Sequence, residues 1–171
     1  VTDKELKALL KERMAQVLVP HLQSLGFKPF NGRRGFTTRY VRERDRAFDM
    51  ILIWWDKYGR PRFIFEFCSA EHPNDLVKIA LDRAFMWKWN GSFRAGNSSW
   101  GEKWFKVRRP IFRSIHAAVD RVAESACARA SEISAFQLGG EPSRYLYNSG
   151  DWSDRLLGCP EFLHRPQRSI P

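Results

Sequence analysis

Cysteine is scarce in this sequence. The 171 residues contain three, Cys68, Cys127 and Cys159, lying 59 and 32 positions apart. That spacing supplies neither a disulfide framework nor the close pairs of a zinc site, so reduced and mostly buried thiols are expected. The four histidines, His21, His72, His116 and His164, are equally scattered. No His-x-x-x-His or Cys-x-x-Cys pair exists to hold zinc or haem. Long apolar runs are also missing. The longest, Met50-Ile51-Leu52-Ile53-Trp54-Trp55, falls far short of the roughly 18 residues of a membrane span, which predicts a soluble protein with no membrane partner. The opening Thr2-Asp3-Lys4-Glu5-Leu6-Lys7 mixes charges where an export signal would carry an apolar block, so a cytoplasmic location is expected. No internal repeat or low-complexity tract is present.

Aromatic residues and positive charge are abundant. Hydrophobic residues make up 43% and aromatics 14%, a globular composition, and the length suits one domain with a sizeable core. Lys and Arg exceed Asp and Glu by 29 to 19, a net charge of +10 that favours polyanionic partners.

The spacing predicts a helix first. Thr2 and Glu5 form a capping box, and Leu6, Leu9, Leu10, Met14, Val17, Leu18, Leu22 and Leu25 recur at helical intervals before Gly26, with Pro20 predicting a kink or a division in two. After the turn residues Asn31 to Gly35 come three strand-like runs, Phe36 to Arg42, Phe48 to Trp55 and Pro61 to Cys68, the last two joined by a four-residue loop, Asp56 to Gly59. They predict an antiparallel meander. A second helix is expected from Leu76 to Trp87, ending at Asn90-Gly91, and residues 91–103 have the Gly/Ser content of a surface loop. Pro110 suits the first turn of a third helix, whose apolar positions run from Phe112 to Phe136 before Gly139-Gly140. The expectation is one α+β domain over 1–140, with helix, three-stranded meander and then two helices packed on the sheet. Residues 141–171 are expected to be irregular, packed on the body by their aromatics and loose at the end.

The excess charge falls in two blocks. Residues 1–48 and 73–115 each carry +6, while 49–72 and 116–171 each carry −1. Arg33, Arg34, Arg39, Arg42, Arg44 and Arg46 surround the first strand, and Lys103, Lys106, Arg108, Arg109 and Arg113 precede the last helix. Arg outnumbers Lys by 20 to 9, and guanidinium groups grip phosphate bidentately and stack on bases. Trp87, Trp89, Phe93, Trp100 and Trp104 are interleaved with Lys88, Arg94 and Lys103, an arrangement that suits single-stranded nucleic acid as well as it suits ordinary core or lid packing. Trp89 and Trp100 lie nearest the Gly/Ser-rich stretch.

Two carboxylates raise a second chemistry. A loop of 56–59 makes paired residues sum to 115, which sets Asp49 opposite Glu66 on one face among apolar neighbours, where they call for a shared proton, a metal ion or arginines such as Arg39. With Phe48-Asp49-Met50 in one strand and Ile64-Phe65-Glu66-Phe67 in the next, this order of elements resembles the core of the PD-(D/E)XK nucleases. The resemblance implies Mg²⁺ on Asp49 and Glu66 as catalytic carboxylates, with an acid from the first helix, Glu5 or Glu12. The lysine of that pattern is Cys68 here, leaving Lys78 to take its place from the following helix.

A further resemblance covers residues 4–136. Leu25-Gly26-Phe27-Lys28, Phe36-Thr37-Thr38-Arg39-Tyr40, the apolar Met50 to Trp55 and Lys103-Trp104-Phe105 look like a bacterial domain family of unknown function, numbered 4304. The Gln-Lys-Ser often found in its second strand is absent. That resemblance implies an α+β domain and no reaction. The expected function is nucleic-acid or other polyanion binding without a cofactor. The alternatives are a Mg²⁺-dependent nuclease and a module that engages an acidic protein.

Overall fold

The computed structural model describes residues 1–30, 36–44, 47–70, 93–95, 104–108 and 114–148. Their elements are α1 (Asp3–Ser24), β1 (Lys28–Pro29), β2 (Thr37–Arg44), β3 (Ala47–Trp55), β4 (Arg62–Ala70), β5 (Phe93–Ala95), β6 (Phe105–Lys106), α2 (Ile115–Gln137) and β7 (Leu146–Asn148). The fold is α+β. An antiparallel sheet is ordered β1-β2-β3-β4-β5-β7, with β6 also paired to β4, and the helices pack against it.

The capping box is present as expected: Thr2 Oγ1 accepts from the Glu5 amide and Glu5 Oε2 accepts from the Thr2 amide at 2.7 Å. Burial of Leu6, Leu10, Met14, Leu18 and Leu22, one every fourth residue, gives α1 its sheet-facing stripe. Pro20 does not divide the helix. It sits exposed one turn before the C-terminus, and the helix continues through it to Ser24. Both helices stop the same way. The Phe27 and Gly26 amides donate to the Leu22 and Gln23 carbonyls, and the Gly140 and Gly139 amides to those of Ala135 and Phe136, with Gly26 and Gly139 at positive φ.

The last helix begins later than Pro110 suggests, because the Ser114 hydroxyl accepts from the Ala117 amide and fixes the cap there. Its buried face is built largely from Ala118, Ala123, Ala126 and Ala130, which let α1 approach closely. The two helices run parallel: Arg13 meets Asp120 at 2.7 Å, and eight residues further along α1 His21 meets Ser131 at 2.8 Å. The main core joins these faces to Tyr40, Ile51, Ile53, Trp55, Phe63, Phe65, Phe67 and Phe105, with the Phe63 and Phe105 rings stacked 5.0 Å apart.

Three expectations change. The span 91–103 contributes a strand at Phe93–Ala95, and the segment after Glu141 contributes Leu146–Asn148, paired with it. Strands of three residues are too short for alternation to reveal. The helix expected at 76–87 lies outside the described residues. The third change is in register. Asp49 pairs with Ser69 and Leu52 with Glu66, so paired residues sum to 118. The turn is longer than four residues, because Asp56 organises it: its amide donates to the Arg62 carbonyl, Oδ1 accepts from the Tyr58 and Arg60 amides, and Oδ2 meets Arg62 at 2.7 Å.

Burial pushes the Asp56 carboxyl up, but the bonds from Arg62, Tyr58 and Arg60 outweigh it and hold the group below the usual aspartate range. A carboxyl lowered by folding stabilises the protein above its unfolded pKa of about 3.9, and that contribution disappears as the pH falls through the folded value. Asp56→Asn is therefore expected to melt below the parent at pH 7, and the gap should narrow below about pH 4 in thermal melts across that range.

Candidate functional site

The change of register by an odd number sends Asp49 and Glu66 to opposite faces of the sheet. Asp49 shares its face with Ile51 and Ile53, toward the helices, whereas Glu66 lies with Met50, Leu52 and Cys68 on the other. The two carboxylates therefore do not form the expected pair.

Asp49 is fully buried, and both its oxygens are occupied. Oδ2 accepts from Arg42 Nε at 3.0 Å and Nη2 at 2.7 Å, and Oδ1 from Arg44 Nη2 at 2.8 Å and Ser69 Oγ at 2.7 Å. Arg42, itself 8% exposed, spends its remaining donors on the Leu25 carbonyl at 3.1 Å and on Ser134, whose hydroxyl it meets at 2.6 Å. Its guanidinium also lies 4.5 Å from the Phe27 ring centroid. The arginine partners anticipated for Asp49 are thus Arg42 and Arg44, while Arg39 belongs to the opposite face, in register with Leu52 and through it with Glu66.

This geometry leaves no room for a shared metal. Among the described residues no group of three or more His, Cys, Asp or Glu is placed to hold an ion. Glu5 is engaged in the capping box at the far end of α1, Glu12 is exposed on that helix, and Lys78 lies outside the described residues. Cys68 shares the face of Glu66 and is buried, and burial, with the charges of Glu66 and Asp49, pushes its thiol up to about 12. A buried thiol so raised is inert.

Among the described residues the two basic blocks do not converge. Arg42 is enclosed, Arg44 is tied to Asp49, and both lie at the end of β2 remote from Lys106 and Arg108, since Lys106 pairs with Arg62 beside the β3–β4 turn. Arg33, Arg34, Arg46, Trp89, Trp100, Lys103, Arg109 and Arg113 lie outside the described residues.

A different basic surface forms around the turn. Lys7 Nζ donates to the Asp56 carbonyl at 2.6 Å and lies 5.8 Å from the Phe36 ring, and Lys11 lies 5.2 Å from the Trp55 ring. Lys57 covers Tyr58 at 4.9 Å, and Arg62 stacks on Trp104 at 4.1 Å. The Val107 amide, donating to the Pro61 carbonyl, brings Lys106 and the exposed Arg108 alongside. Partial burial and the neighbouring Lys11 charge lower the Lys7 ammonium, against an opposing pull from Asp56. Of this surface, only Trp104, Lys106 and Arg108 were legible as candidates. Lys7, Lys11, Phe36, Lys57, Tyr58, Arg60 and Arg62 come together through the hairpin turn and through packing of α1 on the sheet.

Comparisons with protein-family models, with curated proteins and with solved structures give no match. No helix among the described residues is long and apolar enough to cross a membrane.

Two expectations test this arrangement. Asp49→Ala leaves Arg42 buried beside Arg44 without a counter-charge and is expected to cost about 3–5 kcal/mol in urea unfolding. A variant as stable as the parent would show that the cluster is dispensable. In the native protein at pH 8, iodoacetamide followed by peptide mass spectrometry should leave Cys68 unmodified and label it once urea is added. Ready labelling without urea would contradict the burial of this thiol.

Proposed function

We propose that this protein binds nucleic acid through the basic, aromatic surface around the β3–β4 turn. The observation that carries the reading is the concentration of Lys7, Lys11, Lys57, Arg60, Arg62, Lys106 and Arg108 on elements that meet there, while the acid within the turn, Asp56, is buried beneath them. A second physical effect supports it. The parallel helices bring both N-termini toward this end; Asp3 and Glu5 offset the dipole in the first turn of α1, whereas the first turn of α2 carries no acid and adds partial positive charge.

Binding of this sort releases counterions, so affinity should fall linearly in log salt. Reversing Lys11, Lys57 and Arg60 to Glu, all three exposed, is expected to weaken binding at low salt and to flatten the log–log slope by about 2, at roughly 0.7 for each single-strand phosphate left without its cation. Lys28→Glu, in the edge strand β1 and paired with Val41 away from the turn, should leave the slope unchanged. Fluorescence anisotropy with labelled oligonucleotides over a salt series makes the measurement. Binding indifferent to salt, or an unchanged slope in the triple variant, would overturn the proposal.

A further inference from the structure

Two aromatic rings stand out among the described residues because they are large, apolar and left in solvent: Phe36 is 54% and Tyr58 73% exposed. Every other phenylalanine or tryptophan whose side chain is described is buried or partly buried. Folding gains nothing from leaving these two rings in water. Both sit within the basic surface. Lys7 ties them together: its ammonium lies 5.8 Å from the Phe36 centroid and 2.6 Å from the carbonyl of Asp56, two residues before Tyr58. The turn also holds Tyr58 in place from beneath, since its amide donates to Asp56 Oδ1 at 2.8 Å. Each ring carries a lysine nearby, Lys7 for Phe36 and Lys57 for Tyr58 at 4.9 Å. The repeated unit is therefore an exposed ring beside a cation.

That unit matches the chemistry of a single strand, whose unpaired bases offer flat faces to an aromatic ring while its phosphates seek a cation. A duplex keeps its bases stacked inside and presents only phosphates and groove edges. On the basis of the nucleic-acid reading above, we infer that the preferred ligand is a single strand that stacks one base on Phe36 and another on Tyr58, with its backbone running past Lys7 and Lys57. The contact is tolerant of sequence, because every base has a stacking face.

The test compares three labelled ligands of equal phosphate number, a single strand of about 24 nucleotides, a duplex of about 12 base pairs and an abasic single strand of about 24 units, against Phe36→Ala, Tyr58→Ala, Phe36→Tyr and Tyr58→Phe. Both side chains are exposed, so the melting temperature should hold and confirm that each variant is folded. Each alanine is expected to weaken single-strand binding roughly 5- to 150-fold and to leave duplex and abasic binding unchanged, while the variants that keep a ring bind like the parent. Unchanged single-strand affinity in both alanine variants would overturn the inference. So would equal losses on all three ligands, or a parent that binds duplex and abasic strands as tightly as the intact single strand; salt-dependent binding in those cases leaves the nucleic-acid reading standing. A parent that binds none of the three ligands overturns both.

Discussion

A single buried carboxylate constrains most of this architecture. Asp49 is surrounded by four donors, and one of the residues that supply them, Arg42, extends from the sheet to the C-terminal ends of both helices, at Leu25 and Ser134. Two guanidiniums, that of Arg44 partly exposed, against one buried carboxylate leave an excess positive charge. The helix ends answer it, because their last carbonyls carry the negative pole of the peptide dipoles. Gly26 completes the fit: a Cβ there would come within 3.3 Å of Arg42 Cδ, on a backbone at φ +87° that disfavours any other residue. An ion pair of this kind adds little net stability over an apolar replacement of the same shape. Its effect is on geometry, since all its bonds form together only when β2 and β3 are in register and both helices end beside them.

From that constraint follows the polarity of the molecule. Helices whose C-termini meet over Arg42, and whose side chains pair in the same order along both, point their N-termini the same way. The other end of the sheet is the β3–β4 turn, reached from α1 by Lys7. One end therefore places arginines against helix C-termini, while the other, among the described residues, adds solvent-exposed lysines and arginines near the helix N-termini. Opposite charges are satisfied within the first end. At the second, lysines and arginines outnumber the exposed acids Asp3 and Glu5, which is the electrostatic condition for binding an anion.

Much of the fold was legible because α1, β2, β3, β4 and α2 are long enough to show their periods. Leucines every fourth residue and the alternation of Phe63, Phe65 and Phe67 reveal which faces meet. What could not be read was the turn. Its length depends on Asp56 accepting from two amides and an arginine at once, a set of bonds that composition does not display. A hairpin register depends on its turn, and an error of an odd number exchanges the faces of a whole strand. The juxtaposition of Asp49 and Glu66 rested on that one step. The arginines expected on Asp49 did appear, as Arg42 and Arg44, because a buried carboxylate must find donors wherever the register puts it.

Charge counting along the sequence misdirected for a related reason. Residues 49–72 sum to −1 and look neutral, yet Asp49, Asp56 and Glu66 are all buried, while Lys57 and Arg60 are exposed and Arg62 is partly so. The field outside a protein depends on which charges reach solvent and which are compensated inside, so a segment that is balanced on paper can present a basic surface. The reverse holds at residues 42–44, where Arg42 and Arg44, which inflate the local count, are drawn in by Asp49. The basic end of the molecule is thus a product of folding. The acids are enclosed because the core and the turn need them, and exposed cations such as Lys11, Lys57 and Arg60 gather near the helix N-termini.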